Sequence, residues 1–395
     1  MPKRPAKSRA SDSGHGASTL AVHAGEATDP RSGAVNVPIQ QSTTFRFPEL
    51  EDGSKAPYIY SRYENPSLES VEAKVAALEG ALPGRSLLFS SGMGAIQAAC
   101  TAFTKPGDVL AVQRGVYGGT TSYLSNELAP FGVKVVEIDA RGPPALPKGT
   151  TLVWLESITN PLLRVADPRP WAKAAKEAGA RLVVDATFAS PLLQKPLSLG
   201  ADVAMHSATK YLGGHADVTA GVLTCADAPL RDNLWTRRRN LGPILDPHAA
   251  YLVGRGMKTL ALRMERHCSN AWALAQECEG LAGVKAVHYP GLPSHPDHAT
   301  ARKVLAGGFG GMLTLDLGSK ARAVRFRRRV RVVTPAASLG GVESLVSLPL
   351  ETSHAYASAA KRRSDGIGDG LVRISVGIED ASDLAADLRQ AIRGD

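Results

Sequence analysis

Short apolar runs alternate with stretches of helical periodicity through the middle of the chain. Six of the runs have the length and apolar content of buried strands, at Ser86–Ser90, Asp108–Gln113, Lys134–Ile138, Thr151–Leu155, Arg181–Asp185 and Val203–His206. Helical spacing predicts one helix from Ser67 to Gly80 and further helices at Met93–Phe103 and Trp171–Ala178. Because strands that alternate with helices form βαβ units, the pattern predicts an α/β domain with a mostly parallel sheet.

The pattern differs on both sides of this region. Residues 1–18 are small and basic and predict a disordered tail, with an organellar transit peptide as the alternative. Residues 19–65 hold many turn formers and predict an extended arm with little core of its own. Beyond Pro247 the sequence is strongly helical to about Ala282, and strands then mix with helices up to the C-terminus. We therefore expect a tail at 1–18, an arm at 19–65, a large domain at 66–260 and a smaller α+β domain at 261–395.

The composition is that of an ordinary globular protein, with 44% hydrophobic and 21% charged residues. No apolar run approaches the roughly 20 residues of a membrane helix, and the N-terminus lacks the apolar core of a secretory signal. The four cysteines show no metal or redox spacing. His295 and His298 are metal-ligand residue types, but they lie in a loop rich in glycine and proline. The expectation is a cytoplasmic protein that binds no metal and no membrane.

The net charge of +9 comes from two short segments. The tail contributes four basic residues and the run from Arg325 to Arg331 contributes five, which together equal the excess. Phe326 is the only aromatic residue in that run, whereas nucleic-acid modules combine basic residues with aromatics or carry a recognisable fold motif. We expect the run to be a solvated face or an oligomer contact, and we expect no nucleic-acid partner.

The segment MHSATKYLGG is the first candidate for chemistry. It places Lys210 after two hydroxyl residues, Ser207 and Thr209, and before a pair of glycines. A lysine amine that condenses with a carbonyl cofactor is one route to nucleophilic catalysis, and the neighbouring hydroxyls can hold a phosphate. The alternative is a turn with a surface lysine, since so short a motif is weak evidence alone.

Three other segments carry groups that complement such a lysine. Asp185 ends a buried strand, where open α/β sheets bind ligands, and it could pair with a ring nitrogen or cap a helix. Gly92 and Met93 follow a strand and open a helix whose free N–H groups suit a phosphate. This stretch, SSGMGAI, is not GxGxxG, so a dinucleotide is not favoured. Tyr117 precedes two glycines after another strand, where its ring could stack on a planar cofactor.

Ten segments in order resemble the cystathionine γ-synthase/γ-lyase family of fold-type-I pyridoxal-phosphate enzymes, the trans-sulfuration (Cys/Met metabolism) group. They are YSRYENPS, FSSGMGAI, VYGGT, ESITNPLL, VVDATFASP, HSATKYLGGH, RGMKTLALRME, YPGLPSHP, SLGGVESL and LVRISVGIED. The resemblance runs from about residue 19 to the end of the chain. It implies an aspartate-aminotransferase-like fold, pyridoxal 5'-phosphate as cofactor, a sulfur amino acid as substrate, and a homo-oligomer that is at least a dimer and by analogy a tetramer.

The resemblance also implies roles for the motif residues. Lys210 would hold the cofactor as a Schiff base and move protons, and Tyr117 would stack on the ring and take part in proton transfer. The other cofactor contacts would be Asp185 at the ring nitrogen, Gly92, Met93, Ser207 and Thr209 at the phosphate, and Tyr60 and Arg62 at the phosphate of a neighbouring subunit. The substrate carboxylate would be surrounded by Asn160, Ser338 and Arg373. The planar fork of arginine suits a carboxylate, although Arg373 could also form a structural ion pair and Ser338 could serve only in a turn.

The implied activity is γ-elimination of the cystathionine γ-lyase type, which gives cysteine, 2-oxobutanoate and ammonia. Leu339, the residue after Ser338, is more typical of the γ-enzymes than of the β-lyases. Position 119 is glycine and not the cysteine that is typical of methionine γ-lyases. The alternatives are cystathionine γ-synthase, which joins cysteine to an activated homoserine ester, and a methionine or homocysteine γ-lyase. A more distant alternative is a module that binds pyridoxal phosphate without turnover.

Four positions depart from the family pattern. Cystathionine-handling members usually carry glutamate where this chain has Ala337, and they often carry arginine at the position of Ser122. Both charges would serve the far amino-acid end of cystathionine. Ala186 replaces the usual asparagine, and Ile158 is a further departure within ESITNP. The cofactor set is complete, so these departures bear on the choice of substrate.

Overall fold

The structure is a computed structural model that describes residues 14–29, 32–46, 58–352, 355 and 358–393. Its larger sheet has seven strands in the order β1-β7-β6-β5-β4-β2-β3. The strands are β1 (Ser86–Phe89), β2 (Val109–Gln113), β3 (Lys134–Ile138), β4 (Thr150–Glu156), β5 (Arg181–Asp185), β6 (Val203–His206) and β7 (Gly221–Cys225). The five strands from β6 to β3 pair in parallel, and β7 and β1 add antiparallel pairs at one edge. The predicted α/β fold with a mostly parallel sheet is confirmed.

Helices cover both faces of this sheet. The helices in the described ranges are α1 (Ala17–His23), α2 (Pro66–Glu79), α3 (Gly92–Phe103), α4 (Gly118–Tyr123), α5 (Pro168–Ala178), α6 (Ser190–Leu193), α7 (Ala228–Leu241), α8 (Pro247–Met257), α9 (Leu260–Cys278), α10 (His298–Val304), α11 (Lys320–Arg329), α12 (Ala359–Ser364) and α13 (Ala381–Arg393). Side chains along β4 alternate between the faces, so that Leu152 and Trp154 lie in one core and Val153 and Leu155 in another. Within the described part of the chain, no helix is long and apolar enough to cross a membrane.

Local signals explain where several helices begin and end. Asn65, Asp167 and Asp246 each accept a hydrogen bond from an N–H two residues later, and proline fills the first helical position. Gly80 and Gly179 end two of these helices in the left-handed conformation, with φ of 73° and 69°. The helix predicted before Gly80 is therefore confirmed, together with its cap.

A second sheet of five strands follows, in the order β10-β11-β12-β9-β8. Its strands are β8 (Ala286–His288), β9 (Met312–Asp316), β10 (Thr334–Pro335), β11 (Leu345–Ser347) and β12 (Leu371–Ser375). Three of its four pairings are antiparallel, and α9, α11 and α13 pack against it, in the α+β arrangement that the sequence predicts. Phe326 anchors α11 in this core, whereas Arg325 and Arg328 on the same helix are exposed.

The long helix predicted from Pro247 to Ala282 is two helices in the structure. α8 and α9 are separated at Lys258 and Thr259, and α9 ends at Cys278. This break lies beside the domain limit predicted at residue 260. The domain limits themselves stay a prediction.

The start of the arm differs from the expectation of a tail to residue 18 and an irregular arm from residue 19. Ala17–His23 forms α1, which buries Leu20 and Ala21. The Lys74 ammonium donates to the Ala21 carbonyl at 2.8 Å and so fixes this helix on α2. Seven residues span less than two helical turns, and their periodicity is too short to recognise in the sequence. Residues 1–13, which hold the basic part of the tail, lie outside the described residues.

Candidate active site

Neighbouring parallel strands of the larger sheet end in polar residues at one edge. Glu156 ends β4 in register with Asp185 at the end of β5, and Asp185 is in turn paired with Met205 of β6. Ser207 follows β6 directly, and Lys210 lies three residues further along the chain. Open α/β sheets bind ligands outside the carboxyl ends of their strands. The structure therefore brings the predicted residues of these segments to a single edge.

Lys210 lies in the loop after β6 of the larger sheet and contacts a loop of the smaller sheet. Its Nζ donates a hydrogen bond to the Ser338 Oγ at 2.8 Å. Gly340 lies against the same residue, since a Cβ on Gly340 would be 2.9 Å from the Lys210 carbonyl carbon. Burial, and then the nearby Arg373 charge, lower the pKa of Lys210 to about 8. The neutral amine is thereby available near neutral pH, which a nucleophilic lysine requires.

Asp185 is 8% exposed, and Thr187 organises its surroundings. The Thr187 N–H donates to Asp185 Oδ1 at 2.9 Å, and the Thr187 hydroxyl accepts from the Ser207 N–H at 2.8 Å. Burial raises the pKa of the Asp185 carboxyl, and the hydrogen bonds with Thr187 oppose the rise. A cation placed beside Asp185 would favour its ionised form. A protonated ring nitrogen meets that requirement.

The N-terminus of α3 and Ser207 together form a concave surface. Ser91 caps α3 by accepting a hydrogen bond from the Gly94 N–H at 3.0 Å. The first-turn N–H groups of Gly92 and Met93 have no intrahelical acceptor, so they are available to an anion. A Cβ on Gly92 would lie 3.0 Å from the Ser207 Oγ, and glycine therefore keeps this surface open.

The Thr209 hydroxyl, which the sequence places among the phosphate contacts, faces the backbone. Its Oγ1 donates to the Ala220 carbonyl at 3.1 Å and accepts from the Ala220 N–H at 2.9 Å. A hydrogen bond from this hydroxyl to a phosphate requires it to release the Ala220 carbonyl. The structure thus brings Gly92 and Ser207 together, and the contact of Thr209 with a phosphate stays a prediction.

Arg373 extends from β12 toward Lys210. Its guanidinium donates to the Asn160 Oδ1 at 3.2 Å and to the Ser338 carbonyl at 3.1 Å. Its Nε is buried without a hydrogen-bond partner, and no residue of the described ranges forms an ion pair with it. Burial lowers the pKa of Arg373 to about 10. Because a buried cation is costly without a counter-charge, these three residues form a site suited to an anion.

Tyr117 lies at the start of α4 with its ring 45% exposed. The ring is folded over Gly119, where a Cβ would be 2.4 Å from the ring carbon Cε1. The Tyr117 N–H donates to Glu156 Oε1 at 2.6 Å. Burial and the neighbouring Asp185 charge raise the pKa of Glu156 well above its usual range. Sequence reasoning did not find this contact.

Tyr60 and Arg62 form no hydrogen bond or ring contact with Lys210 among the described residues. Arg62 donates to the Arg239 carbonyl at 3.0 Å, and its guanidinium carbon lies 5.5 Å from the centre of the Tyr60 ring. Ala337 and Ser122 are exposed. The contact of Tyr60 and Arg62 with a neighbouring subunit stays a prediction.

The loop at residues 295–298 serves the fold. The Asp297 carboxylate accepts two hydrogen bonds from the Arg164 guanidinium, at 2.5 and 2.7 Å. A ring N–H of His298 donates to the Pro290 carbonyl at 3.0 Å. In the described part of the chain, no group of three or more histidine, cysteine, aspartate or glutamate side chains is arranged to hold a metal ion.

Sequence reasoning also missed Thr187 and Gly340. A signal for Thr187 exists in the Asp-Ala-Thr turn after β5, because aspartates at strand ends often accept from the N–H two residues later. The signal for Gly340 is its place in a glycine pair after Ser338, where φ is +76°. Both residues support side chains that the sequence did identify.

The assembled groups fit one compound that carries an aldehyde, a phosphate and an aromatic ring nitrogen. The lowered pKa of Lys210 suits an aldehyde, and the open surface at Gly92 suits a phosphate. Asp185 is a buried carboxylate at the same edge of the sheet, and a carboxylate suits a ring nitrogen. Pyridoxal 5'-phosphate has this composition. The Arg373 guanidinium has no carboxylate partner among the described residues, and its planar fork suits one.

Known proteins resemble the chain over nearly its whole length. The family model of the Cys/Met metabolism PLP-dependent enzymes matches residues 18–393. Cystathionine gamma-lyase of Bacillus subtilis (strain 168) is 42% identical over 95% of this chain and 98% of that protein. L-methionine gamma-lyase of Pseudomonas putida is 40% identical over 96% of this chain and 97% of that protein. The crystal structure of cystathionine gamma synthase from Xanthomonas oryzae pv. oryzae in complex with aminoacrylate and cysteine has a TM-score of 0.90 at 40% identity, over 96% of this chain and 98% of that one. The chain therefore belongs to the pyridoxal-phosphate-dependent enzymes of cysteine and methionine metabolism.

Proposed function

We propose that this enzyme catalyses γ-elimination of cystathionine and releases cysteine, 2-oxobutanoate and ammonia. The observation that carries the proposal is the position of the Lys210 amine beside the buried Arg373 guanidinium, which lacks a carboxylate partner among the described residues. An amino acid whose carboxylate binds Arg373 would place its Cα next to Lys210. The hydroxyl and the carbonyl of Ser338 link the two cations and would set this distance.

Residues of this chain would hold the cofactor at three points. Lys210 would bind its aldehyde carbon, Asp185 its ring nitrogen, and the N-terminus of α3 with Ser207 its phosphate. Pyridoxal phosphate, when bound, supplies an electron sink for the electrons left at the substrate Cα. Asp185 supports this chemistry because an ionised carboxylate keeps the ring nitrogen protonated.

Proton transfer would fall to two side chains. The Lys210 amine, once displaced by the substrate, takes the Cα proton, and its lowered pKa of about 8 suits this role. Lys210 would return this proton to the conjugated system of the bound cofactor and, neutral again, would accept a Cβ proton, so that the electrons left at Cβ expel the sulfur from Cγ. Tyr117 supplies the proton to the leaving sulfur, since its ring stands at the open side of the site. Water finally releases the keto acid and ammonia.

Two other activities would use Lys210, Asp185 and Arg373 in the same way. In a γ-synthase a thiol adds to the carbon that loses its substituent, and nothing in Lys210, Asp185 or Arg373 distinguishes this direction. A methionine or homocysteine γ-lyase is favoured by one observation, which is that Ala337 and Ser122 offer no charge at the exposed side of the site. The far amino-acid end of cystathionine would then lack a partner there.

The proposal includes a homo-oligomer, at least a dimer and by resemblance a tetramer, in the cytoplasm. Support for the dimer comes from the arm, because Arg62 hydrogen-bonds to Arg239 of α7 and lies over the Tyr60 ring, and no hydrogen bond or ring contact among the described residues joins either of them to Lys210. A second copy of the chain would supply them. The non-catalytic alternative is disfavoured by the presence of Lys210, Tyr117 and Arg373 together.

A substrate panel tests the proposal. The holoenzyme is incubated with cystathionine, methionine, homocysteine, or O-succinylhomoserine plus cysteine, and keto acids and thiols are assayed. We expect the largest kcat/KM with cystathionine. A larger value with methionine or homocysteine would replace the proposed substrate, and net formation of cystathionine would identify a synthase. No product from any mixture would support the binding module.

A further inference from the structure

Glu156 is a buried acid that the proposed chemistry does not use. It is 5% exposed and ends β4, which lies between β2 and β5 in the sheet. Its own N–H donates to the Gln113 Oε1 at 2.8 Å, which fixes the backbone at this point. Its Oε1 accepts from the Tyr117 N–H at 2.6 Å. Glu156 therefore joins the strand beside Asp185 to the loop that carries Tyr117.

The Tyr117 loop is anchored on one side by Val116, which is buried in the core of the larger sheet, and has few backbone hydrogen bonds to that sheet. The Arg114 N–H still bonds to the Ile138 carbonyl of β3 at 2.9 Å, and the Thr121 N–H bonds back to the Tyr117 carbonyl at 3.0 Å. Between these two bonds, the hydrogen bond from the Tyr117 N–H to Glu156 holds the loop against the end of β4. No side chain of the loop caps α4 at Tyr117. The backbone N–H of Tyr117 itself thus takes its acceptor from β4, beside the core contact of Val116.

The contact does not require a charge on Glu156. Burial and the adjacent Asp185 raise the pKa of Glu156 well above its usual range, which favours the neutral carboxyl. A neutral carboxyl still accepts a hydrogen bond at its carbonyl oxygen. The reach of the side chain decides whether the bond forms.

We propose that Glu156 is a positioning residue that holds the Tyr117 backbone so that the Tyr117 ring remains stacked on the cofactor. The inference rests on the proposed function, because the cofactor position and the stacking of the Tyr117 ring on it are themselves predictions. Glu156 acts through one hydrogen bond, and the length of its side chain matters more than its charge.

Two substitutions separate length from charge. Glu156→Gln keeps the reach and an acceptor oxygen but removes the acid, whereas Glu156→Asp keeps the acid and shortens the side chain by one carbon, about 1.5 Å. Each apoenzyme is titrated with pyridoxal phosphate, and visible circular dichroism follows binding. We expect Glu156→Asp to raise the dissociation constant about tenfold and Glu156→Gln to raise it less than about threefold. The reverse order would overturn the proposal and point to an electrostatic action on Asp185.

A double-mutant cycle tests whether the effect passes through the ring. In a Tyr117→Ala background, Glu156→Asp is expected to cause no further loss of cofactor affinity, because the group that it positions is gone. Additive losses would mean that Glu156 acts elsewhere and would overturn the proposal. If the Glu156→Asp variant does not fold, the isosteric Glu156→Gln variant still tests the proposal. A loss of cofactor affinity above about threefold in Glu156→Gln would contradict a role that depends on side-chain length alone.

A remote carboxylate provides the matched control. Asp387 accepts the backbone N–H groups of Arg331, Val332 and Val333, as Glu156 accepts that of Tyr117. Asp387→Asn is expected to lower the thermal stability of the apoenzyme and to leave the cofactor dissociation constant within about twofold. A wild-type chain that binds no pyridoxal phosphate would contradict the proposed function. Failure of the Glu156 series in a chain that binds it would contradict only the positioning role.

Discussion

Two regions of the site differ in how the chain builds them. We call the first the inner site, which comprises Asp185, Lys210, Ser338 and Arg373, and the second the rim, which comprises Tyr60, Arg62, Ser122 and Ala337. In the inner site, Asp185 and Arg373 are 8% and 6% exposed. Ser338 accepts hydrogen bonds from both Lys210 and Arg373. On the rim, Tyr60 is 40% exposed, and Ser122 and Ala337 are exposed as well.

The difference separates the chemistry from the choice of substrate. Charges in the inner site act in a medium of low dielectric constant, where removal of one group leaves another uncompensated. An ion pair on an exposed rim contributes only about 0–1 kcal/mol. Substitutions in the inner site should therefore change rates by orders of magnitude, whereas substitutions at Ser122 and Ala337 should change substrate preference by a few fold.

The largest effect is expected for Lys210→Ala. Loss of both the nucleophile and the base should lower kcat by at least about 10³-fold. The visible absorbance band of the protein-bound cofactor should disappear, and borohydride should no longer attach the cofactor to the protein. Lys173→Ala is the control, because Lys173 is an exposed lysine on α5. A band that persists and remains reducible onto the Lys210→Ala protein would contradict the assignment.

The next effect concerns Arg373. Arg373→Ala should raise KM about 100-fold with a smaller change in kcat, because the substrate carboxylate loses its buried partner. The KM of the Arg373→Lys variant should lie between those of the wild type and of Arg373→Ala, because lysine keeps the charge but loses the planar fork. Steady-state kinetics with the preferred substrate measures both. A purely structural role would instead lower the melting temperature of the apoenzyme and leave KM unchanged.

The pKa of Lys210 predicts a pH dependence for cofactor attachment to the apoenzyme. Burial and then Arg373 lower this pKa from 10.5 to about 8, so the nucleophilic neutral amine becomes predominant above about pH 8. The rate of attachment should rise with pH and level off near that value. Arg373→Gln should move the midpoint to higher pH, because a cation that disfavours the protonated amine is removed. Stopped-flow absorbance from about pH 6 to about pH 11.5 measures the midpoint, and a wild-type midpoint near the ordinary value of 10.5 would exclude the shift.

The same two regions show how far sequence reasoning extends. β5 lies at the predicted residues, Arg181–Asp185, because a strand buried on both faces is a continuous apolar run with clear ends. The fold class follows from such runs. The bond from Lys210 to Ser338 joins residues 128 positions apart, and that from Arg373 to Asn160 joins residues 213 apart. Contacts of that range arise from the packing of the two sheets and leave no periodic signal.

Side-chain direction is the other limit of the sequence. The motif predicts a Thr209 hydroxyl at the phosphate but carries no signal for its hydrogen bonds with the backbone of Ala220, the residue before β7. The carboxyl of Glu156 serves a loop 39 residues earlier in the chain. Residue type identifies a candidate group, and the neighbouring strand decides which way that group points.

The smallest effect is expected on the rim and bears on the substrate. Ala337→Glu adds an acidic group immediately before Ser338, on the exposed side of the inner site. It should raise the ratio of kcat/KM for cystathionine over methionine by about 2–5-fold, which is the size of one exposed ion pair with the far ammonium of cystathionine. Ala337→Gln is the matched control and should leave the ratio unchanged, and 0.5 M salt should reduce the gain of the glutamate variant. An equal gain with glutamine would show that side-chain size at this position sets the preference. A gain beyond about 100-fold would show that residue 337 is desolvated when substrate binds, so that the rim would belong energetically with the inner site.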